Sequence, residues 1–319
     1  MVKKIRVKAT ATVSNLNCGF DVLGMAINEP CDFIDLEMND SGEVVITGIT
    51  GCSSLSLDPD KNVVGAVLKA MISKAGTIAG LNLGTKPGFK AYIEKGITPG
   101  SGIGSSAASS AAAAFAANEL MGKIFSPEEL VAFAMEGERL ASGTAHADNV
   151  APALLGGITL IRSYEPLDII RVNIPPELFC VVIHPDMEIK TSMARGILDK
   201  NIPLGTAVKQ WGNVGGLIAG FFSEDYDLIG RSLVDHVAEP KRSSLIPGFQ
   251  ELKQAAMQNG ALGAGISGSG PSVFALCRGE LSGEFVLRAM KACMDAMGIN
   301  YNAYLSPVNR TGAEICSLS

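Results

Sequence analysis

The pattern of apolar and polar positions predicts a chain that mixes strands and helices. Residues 5–13 alternate in polarity and are rich in β-branched side chains, which is typical of a half-buried strand. Related patterns predict strands near residues 32–38, 43–48, 89–94, 157–162, 178–184 and 272–277, and two short final strands. Capping residues before apolar periodicity predict helices over residues 63–74, 105–119, 127–140 and 284–297. Thr191 is expected to cap a short helix, and residues 239–248 to form a charged loop.

A glycine-rich segment at residues 98–109 is the most distinctive pattern. Gly100, Gly102 and Gly104 alternate with small residues and lead into Ser105, Ser106 and a run of alanines. Glycine lets the backbone approach a ligand closely, and a helix N-terminus attracts phosphate through its free N–H groups and partial positive charge. The segment therefore predicts a phosphate-binding loop, although a tight turn before a closely packed helix explains the local pattern equally well.

Two familiar phosphate-binding motifs are excluded by the spacing of these glycines. A Walker A loop requires a lysine at its end, and no lysine follows Gly104. A dinucleotide fingerprint requires Gly-x-Gly-x-x-Gly and an acidic residue about 20 positions further on, and neither is present. A Rossmann-type oxidoreductase is therefore a remote alternative.

Composition narrows the class of protein further. The chain has 319 residues, enough for one large or two ordinary domains, and its net charge of −6 argues against nucleic acid as a partner. No apolar run approaches the roughly 18 residues of a membrane span, and the N-terminus is not a signal peptide. The seven cysteines are scattered and odd in number, which predicts reduced thiols in a cytoplasmic protein without a zinc site.

The glycine segment, read as Pro99-Gly-Ser-Gly-Ile-Gly-Ser-Ser-Ala107, resembles the central motif of the GHMP kinases. These are small-molecule kinases named for galactose, homoserine, mevalonate and phosphomevalonate. The resemblance implies ATP and Mg²⁺ as cofactors, with Mg²⁺ held by Ser106 and Glu138 and with Asn62 beside the nucleotide base. The residues that it implies for ATP binding are Asn62, Thr98, Pro99, Gly100, Ser101, Gly102, Ile103, Gly104, Ser105, Ser106, Ala107 and Ala108.

Other segments resemble the members of this family that phosphorylate homoserine. They are Asn15-Leu-x-x-Gly-Phe-Asp21, His146-Ala-Asp-Asn-x-Ala-Pro152, Thr191-x-x-x-Arg195 and Glu239-Pro-x-Arg-x-x-Leu-Ile-Pro247. A second glycine loop at residues 263–272 resembles the family's third motif. The first segment departs from the family, with Thr10 in place of proline and Asn17-Cys18 in place of Gly-Pro.

The resemblance assigns substrate binding to residues from all of these segments. The substrate-binding set is Asn15, Asp21, His146, Asn149, Thr191, Arg195 and Arg242, and the catalytic candidates are Asp148, Asn149 and Arg242. Arginine suits a substrate carboxylate because its planar fork forms two parallel bonds. Asp21 would pair with the substrate ammonium. Whether a general base acts is open, and we expect positioning to dominate.

Each pattern also has a plainer structural interpretation when it is taken alone. Glu138 could lie on a solvated helix face, residues 143–157 could be a buried helix with a polar cap, and both arginines could be solvated. The order of the motifs along the chain favours the functional interpretation.

The resemblance implies an α+β fold of two domains. The expected domains are an N-terminal ATP-binding domain like domain 2 of ribosomal protein S5, at residues 1–165, and a ferredoxin-like C-terminal domain, at residues 166–319. It further implies phosphorylation of the L-homoserine hydroxyl, a step towards threonine, and a possible homodimer. The alternatives are a kinase for mevalonate or a sugar, and a catalytically silent binding protein of the same fold.

Overall fold

Strands and helices are interspersed along the computed structural model, which describes residues 4–78 and 87–318. The strands are β1 (Lys4–Ser14), β2 (Leu23–Asn39), β3 (Val44–Thr50), β4 (Gly88–Glu94), β5 (Ile158–Tyr164), β6 (Leu167–Val172), β7 (Leu178–Pro185), β8 (Ala261–Ile266), β9 (Val273–Arg278), β10 (Tyr301–Pro307) and β11 (Glu314–Leu318). The helices are α1 (Val63–Ala75), α2 (Ser105–Leu120), α3 (Pro127–Ser142), α4 (Val150–Leu155), α5 (Thr191–Gly196), α6 (Leu204–Ser223), α7 (Tyr226–Ser232), α8 (Glu239–Arg242), α9 (Phe249–Gln258) and α10 (Glu280–Met297). A 3₁₀ turn spans Ser243–Leu245. This mixture confirms the α+β class.

The first sheet supports the glycine loop. Its strand order is β11-β1-β2-β4-β3, and β5 pairs with both β2 and β6. The β1–β2 pairing is antiparallel, and it shifts register between Thr10 and Thr12, which lets β2 continue towards β5. Strand β4 ends at Glu94, so the chain leaves the sheet immediately before the glycine loop.

Helix α2 is buried almost all round and packs against β1, β2, α1 and α3. Its alanines from Ala107 to Ala117 have essentially no exposed surface. Alanine combines the highest helix propensity with a side chain small enough for close packing. The alanine run therefore holds the start of this helix, and the loop before it, in a rigid position.

The second sheet is antiparallel and has the strand order β10-β7-β9-β8. Numbered from β7, this is the order 4-1-3-2, and α9 and α10 pack against the sheet. A separate apolar cluster, which includes Phe249, Met290 and Met294, fills the space between these helices and the strands. The predicted ferredoxin-like layer in the second half is thus confirmed.

The two sheets do not divide the chain at a single position. Strands β6 and β11 both lie after residue 165, yet both pair within the first sheet. Strand β11 returns the end of the chain to the edge of β1. The boundary at residues 165–166 therefore remains a prediction, and a chain cut there would lose two strands of the first sheet.

Several predicted elements need correction. The expected charged loop at residues 239–248 contains α8 and the 3₁₀ turn, because Asp235 accepts hydrogen bonds from the backbone N–H groups of Val237, Ala238 and Glu239. Thr191 is the first residue of α5 rather than its cap, and its hydroxyl lies 3.4 Å from Ser269 Oγ. Helix α6 was not predicted, since its five glycines lower its intrinsic helix propensity.

No helix within residues 4–78 or 87–318 is both long and apolar enough to cross a membrane.

Candidate active site

A cavity of about 630 Å³ lies beside the glycine loop and receives residues from both halves of the chain. The predicted residues that line it are Asn15, Asp21, Asn62, Pro99, Gly100, Gly102, Gly104, Ser105, Ser106, Glu138, His146, Asp148, Asn149, Thr191, Arg195 and Arg242. They come from segments that extend from Asn15 to Arg242 in the sequence. The fold therefore brings the proposed nucleotide, metal and substrate residues into one site.

The glycine loop adopts a backbone that requires glycine. Gly100, Gly102 and Gly104 all have positive φ, at 72°, 79° and 72°. A Cβ on Gly104 would lie 2.1 Å from the Thr12 hydroxyl, and one on Gly102 would lie 2.5 Å from the Gly270 carbonyl oxygen. The alternation of glycine with other residues thus reflects both conformation and close packing.

The second glycine loop braces the first. The hydroxyl of Ser267 donates to the Gly102 carbonyl over 2.7 Å, and that of Ser272 donates to the Ser101 carbonyl over 2.7 Å. Gly268 and Ser269 also line the cavity. The expectation that residues 263–272 border the site is confirmed.

Ser106 and Glu138 meet at the start of α2. Glu138 is 9% exposed, and its Oε1 has no hydrogen-bond partner among the described residues. Burial raises the pKa of Glu138, and a hydrogen bond with the Ser106 side chain acts in the opposite direction. A buried carboxylate oxygen without a partner, beside a hydroxyl, fits a hard cation that takes oxygen ligands. The pair is therefore suited to hold Mg²⁺.

A buried ion pair lies directly beneath the loop and was missed in the sequence. Lys95 pairs with Asp32, and the two side chains are 3% and 0% exposed. The Lys95 ammonium also donates to the Ser105 carbonyl and the Ser109 hydroxyl, each over 2.9 Å. Asp32 accepts from the backbone of Gly96 over 3.0 Å. A lysine immediately after the apolar strand at residues 89–94 was the available clue.

Asp21 and Arg195 form a two-point ion pair in the part of the cavity that is predicted to bind substrate. Arg195 Nη1 and Nη2 lie 3.0 and 2.8 Å from the two carboxylate oxygens of Asp21. This hydrogen bonding raises the pKa of Arg195. The two residues were predicted to bind opposite ends of the substrate, and here they neutralise each other. Their roles towards substrate remain predictions.

Arg242 is buried without an acidic partner. It is 3% exposed, its Nε donates to the Ala194 carbonyl over 3.1 Å, and its Nη1 donates to the Gly268 carbonyl over 2.8 Å. Burial and the charge of Arg195 lower the pKa of Arg242. Across residues 4–78 and 87–318, no carboxylate lies within ion-pair distance of it. A buried cation is costly without an anion, so this position favours an anionic ligand.

Phe20 lies between the two arginines. Its ring centre is 5.4 Å from the Arg195 guanidinium carbon and 5.2 Å from that of Arg242. Cation–π contacts of this kind hold like charges near each other on one aromatic surface. The Phe20 ring therefore contacts two cations that are both predicted to bind substrate.

Asn149 is held from two sides. The Thr12 hydroxyl donates to its Oδ1 over 2.7 Å, and its Nδ2 donates to the Ser14 hydroxyl over 2.9 Å. Thr12 and Ser14 were not predicted, because a hydroxyl in an alternating strand is an ordinary feature. An amide has two N–H groups and two lone pairs, so Asn149 retains one donor and one acceptor for a ligand.

Asp148 and His146, which are close to Asn149 in the sequence, also line the cavity. Burial raises the pKa of Asp148 to about 7, and the charges of Asp21 and Glu138 add to the effect. Burial lowers the pKa of His146, so this imidazole is neutral near pH 7. Asp148 Oδ1 and His146 Nε2 lack hydrogen-bond partners within the described part of the chain. Both atoms are therefore buried polar groups that the described part of the protein does not satisfy.

Some predicted nucleotide-binding residues do not face the cavity. The side chains of Ser101, Ile103, Ala107 and Ala108 are buried in the protein interior, and Thr98 is exposed outside the lining. The four buried residues can take part only through the backbone or by packing. Asn62 lines the cavity, but its amide caps α1 through the Val64 N–H and donates to the Ser56 carbonyl. The plain structural interpretation of Asn62 is thus confirmed, and its contact with adenosine remains a prediction.

Two family models match the chain. The GHMP kinase N-terminal domain matches residues 62–157 and the GHMP kinase C-terminal domain matches residues 217–296. Together they span more than half of the protein. The match in each half agrees with the two sheets described above.

Full-length relatives extend this result. A homoserine kinase of Chlorobium phaeobacteroides is 49% identical over 98% of this chain and 100% of its own length. One of Chlorobaculum tepidum is 50% identical over 97% of both chains. The crystal structure of homoserine kinase from Cytophaga hutchinsonii has a TM-score of 0.93 and 47% identity over 99% of this chain and 98% of that one. The protein therefore belongs to the homoserine kinases of the GHMP kinase family.

Proposed function

We propose that the protein transfers the γ-phosphoryl group of ATP to the hydroxyl of L-homoserine and releases ADP and O-phospho-L-homoserine. The observation that supports this most directly is Arg242, a buried guanidinium without an acidic partner among the described residues, in the same cavity as the glycine loop. An amino-acid substrate supplies the missing carboxylate. Its ammonium finds an anion in Asp21, which lies at the same end of the cavity.

The nucleotide end of the site is suited to charge neutralisation. The backbone N–H groups at the start of α2 and in the loop from Gly100 to Ser106 surround the place where phosphates would lie. When bound by Ser106 and Glu138, Mg²⁺ would neutralise charge on the phosphate oxygens. Phosphoryl transfer depends mainly on such neutralisation and on in-line positioning.

Asn149 is the residue that we propose positions the acceptor hydroxyl of homoserine. Its amide is fixed by Thr12 and Ser14, so its remaining donor and acceptor point in set directions. Asp148, with a pKa of about 7, is the candidate to accept the hydroxyl proton near neutral pH. We propose that positioning supplies most of the acceleration and that proton removal follows late, as a loose transition state allows.

The charges of the cavity favour homoserine over the other acceptors of the family. Mevalonate has a carboxylate but no ammonium, and a sugar has neither, so neither would use both Asp21 and the arginines. A silent binding protein has no need of Ser106 beside the buried Glu138. The full-length similarity to homoserine kinases supports the same choice.

The identity of the product tests this proposal. The purified protein with ATP, Mg²⁺ and L-homoserine is expected to give the ³¹P resonance of a phosphate monoester, identical to authentic O-phospho-L-homoserine. The resonance should not form without Mg²⁺. ATP hydrolysis to inorganic phosphate alone would contradict the proposal.

We further propose that the protein acts as a homodimer in the cytoplasm. Helix α6 exposes Leu204, Val208, Trp211 and Phe222 at 73%, 50%, 57% and 56%. Gly212 and Gly215 lie on the same helix, and a Cβ on either would meet no atom of the described residues within 4 Å. Large side chains beside open glycine positions make this face complementary to a second copy of itself. The cytoplasm supplies ATP and keeps cysteine thiols reduced, so the proposed use of ATP and the free cysteines both support this location.

A further inference from the structure

Tyr164, the last residue of β5, connects two parts of the candidate site that are distant in sequence. Its hydroxyl donates to the backbone carbonyl of Asp21 over 2.8 Å and accepts from the backbone N–H of Ala147 over 3.3 Å. Asp21 belongs to the turn after β1, and Ala147 lies between His146 and Asp148. One hydroxyl thus sets the spacing between the Asp21 turn and the segment that carries Asn149.

The backbone conformation of Asp21 makes this contact significant. Asp21 has a φ of 60°, in the left-handed region that non-glycine residues adopt at a cost. Such a conformation persists where the surroundings fix it from several sides. The N–H of Asp21 donates to the Asn15 side chain over 3.1 Å, and its carbonyl accepts from Tyr164. Both backbone polar groups of Asp21 are therefore held by side chains.

The carboxylate of Asp21 depends on that backbone. It forms the two-point pair with Arg195 and lies 3.9 Å from His146 Nδ1. A rotation of the Asp21 backbone would move the carboxylate away from both neighbours. Tyr164 itself is not among the residues that line the cavity in the described ranges, so it reaches the site only through Asp21 and Ala147.

We infer that Tyr164 is a positioning residue that fixes Asp21 for the amino-acid substrate. This inference rests on the proposed function, because it assigns to Asp21 the binding of homoserine. Burial raises the pKa of Tyr164, so the hydroxyl keeps the proton that it donates to Asp21. Without that hydroxyl, the Asp21 carbonyl and the Ala147 N–H would both lose their partner, and the left-handed turn could relax.

The Tyr164→Phe variant tests the inference because it removes only the hydroxyl. We expect the KM for homoserine to rise about tenfold, the loss of roughly one good hydrogen bond, while kcat and the KM for ATP change less than about threefold. The matched control is Tyr226→Phe, whose hydroxyl accepts from the Glu177 backbone N–H over 3.1 Å outside the cavity lining. Both variants should lower Tm by a similar small amount, and only Tyr164→Phe should change the KM for homoserine.

A double-mutant cycle with Asp21→Asn separates positioning from general destabilisation. If Tyr164 acts through Asp21, then Tyr164→Phe should add almost nothing to the KM of the Asp21→Asn variant. Additive effects, or an equal rise in the KM for ATP, would overturn the inference. A measurement on the unmodified enzyme distinguishes the two proposals. If it does not turn over homoserine, the proposed function is wrong. If it does, and Tyr164→Phe leaves the KM for homoserine unchanged, only the inference about Tyr164 is wrong.

Discussion

At the residue scale, the site is marked by polar groups that the protein buries without satisfying. Arg242 lacks an acidic partner, and Glu138 Oε1 and Asp148 Oδ1 lack hydrogen-bond partners within residues 4–78 and 87–318. Each arrangement lowers the stability of the folded chain. Arg242, Glu138 and Asp148 all line one cavity, where ligand groups would complete the set, whereas other buried atoms without partners, such as Ser110 Oγ and Thr159 Oγ1, lie outside its lining.

Replacement of Arg242 by methionine should reduce kcat/KM for homoserine by about 10²–10³-fold, because a buried charged contact to the substrate carboxylate is lost. Arg242→Lys keeps the charge without the planar fork and should recover only part of the activity. The exposed Arg231 gives the matched control, since Arg231→Met should leave kcat/KM unchanged. Equal kinetics for the two methionine variants would exclude Arg242 from substrate binding.

Replacement of Asp148 by asparagine should stabilise the protein at alkaline pH. The folded-state pKa of about 7 lies above the ordinary aspartate value near 4, so the folded chain binds the proton more tightly. The free energy of unfolding therefore falls as pH rises from about 4 to 7. Asp148→Asn removes this loss, so its Tm should exceed that of the unmodified protein at pH 8, and this advantage should shrink towards pH 4. An advantage that is independent of pH would contradict the assigned pKa.

The same variant bears on catalysis. If positioning dominates, kcat of Asp148→Asn should fall by less than about 100-fold. A loss of several orders of magnitude with unchanged affinity for homoserine would instead identify Asp148 as an essential base.

At the scale of elements, the site depends on the connection from β4 to α2. The glycine loop is fixed on one side by hydrogen bonds from residues 267–272 and on the other by the Lys95–Asp32 ion pair. The pair also fixes the Ser105 carbonyl at the first turn of α2. The start of α2, where Ser105 and Ser106 line the cavity, is therefore anchored by a buried charge.

Replacement of Lys95 by methionine should lower the free energy of unfolding by about 3–5 kcal/mol, since Asp32 would be left buried without its cation. It should also weaken ATP binding, because the first turn of α2 loses its support. Lys69→Met is the control: Lys69 pairs with Asp60 at the surface, and a loss below about 1 kcal/mol is expected. Chemical denaturation of both variants measures the difference, and equal losses would show that the buried pair is not a support.

Elements with strong local patterns were predictable from sequence. The alternation in β1, the Asn62 cap of α1 and the Ser126–Glu129 capping box of α3 all appear where they were expected. Helix α6 was missed because its glycines lower its intrinsic helix propensity, and the packing that stabilises it, through residues such as Leu217 and Phe221, exists only in the folded protein. The Thr12, Ser14 and Lys95 contacts were missed because they join β1 to Asn149 and join the residue after β4 to Asp32 and α2, which only the folded chain brings together in this way.

At the scale of the molecule, the first sheet with its helices carries the glycine loop, and the second half of the chain supplies Thr191, Arg195 and Arg242 to the same cavity. Five of the predicted nucleotide residues, Thr98, Ser101, Ile103, Ala107 and Ala108, do not line this cavity, whereas the predicted substrate and metal residues do. Their pairing, above all that of Asp21 with Arg195, could not be predicted, since it depends on side-chain geometry across a gap of 174 positions.

The exposed face of α6 gives a prediction about assembly. The unmodified protein should behave in light scattering as two chains of 33.2 kDa, and Trp211→Glu should behave as one, because a buried charge would oppose the apolar contact. Lys291→Glu on the exposed side of α10 is the control and should remain dimeric. A Trp211→Glu variant that stays dimeric would exclude this face as the interface.

The charges of this cavity predict selection of a zwitterionic amino acid, and a comparison of acceptors shows whether that selection occurs. ADP release should be measured with ATP and Mg²⁺ and, in parallel, L-homoserine, mevalonate, galactose or no acceptor. We predict turnover with homoserine and only background release in the other three reactions. Turnover with mevalonate or galactose in place of homoserine would contradict the role assigned to Asp21 and the two arginines.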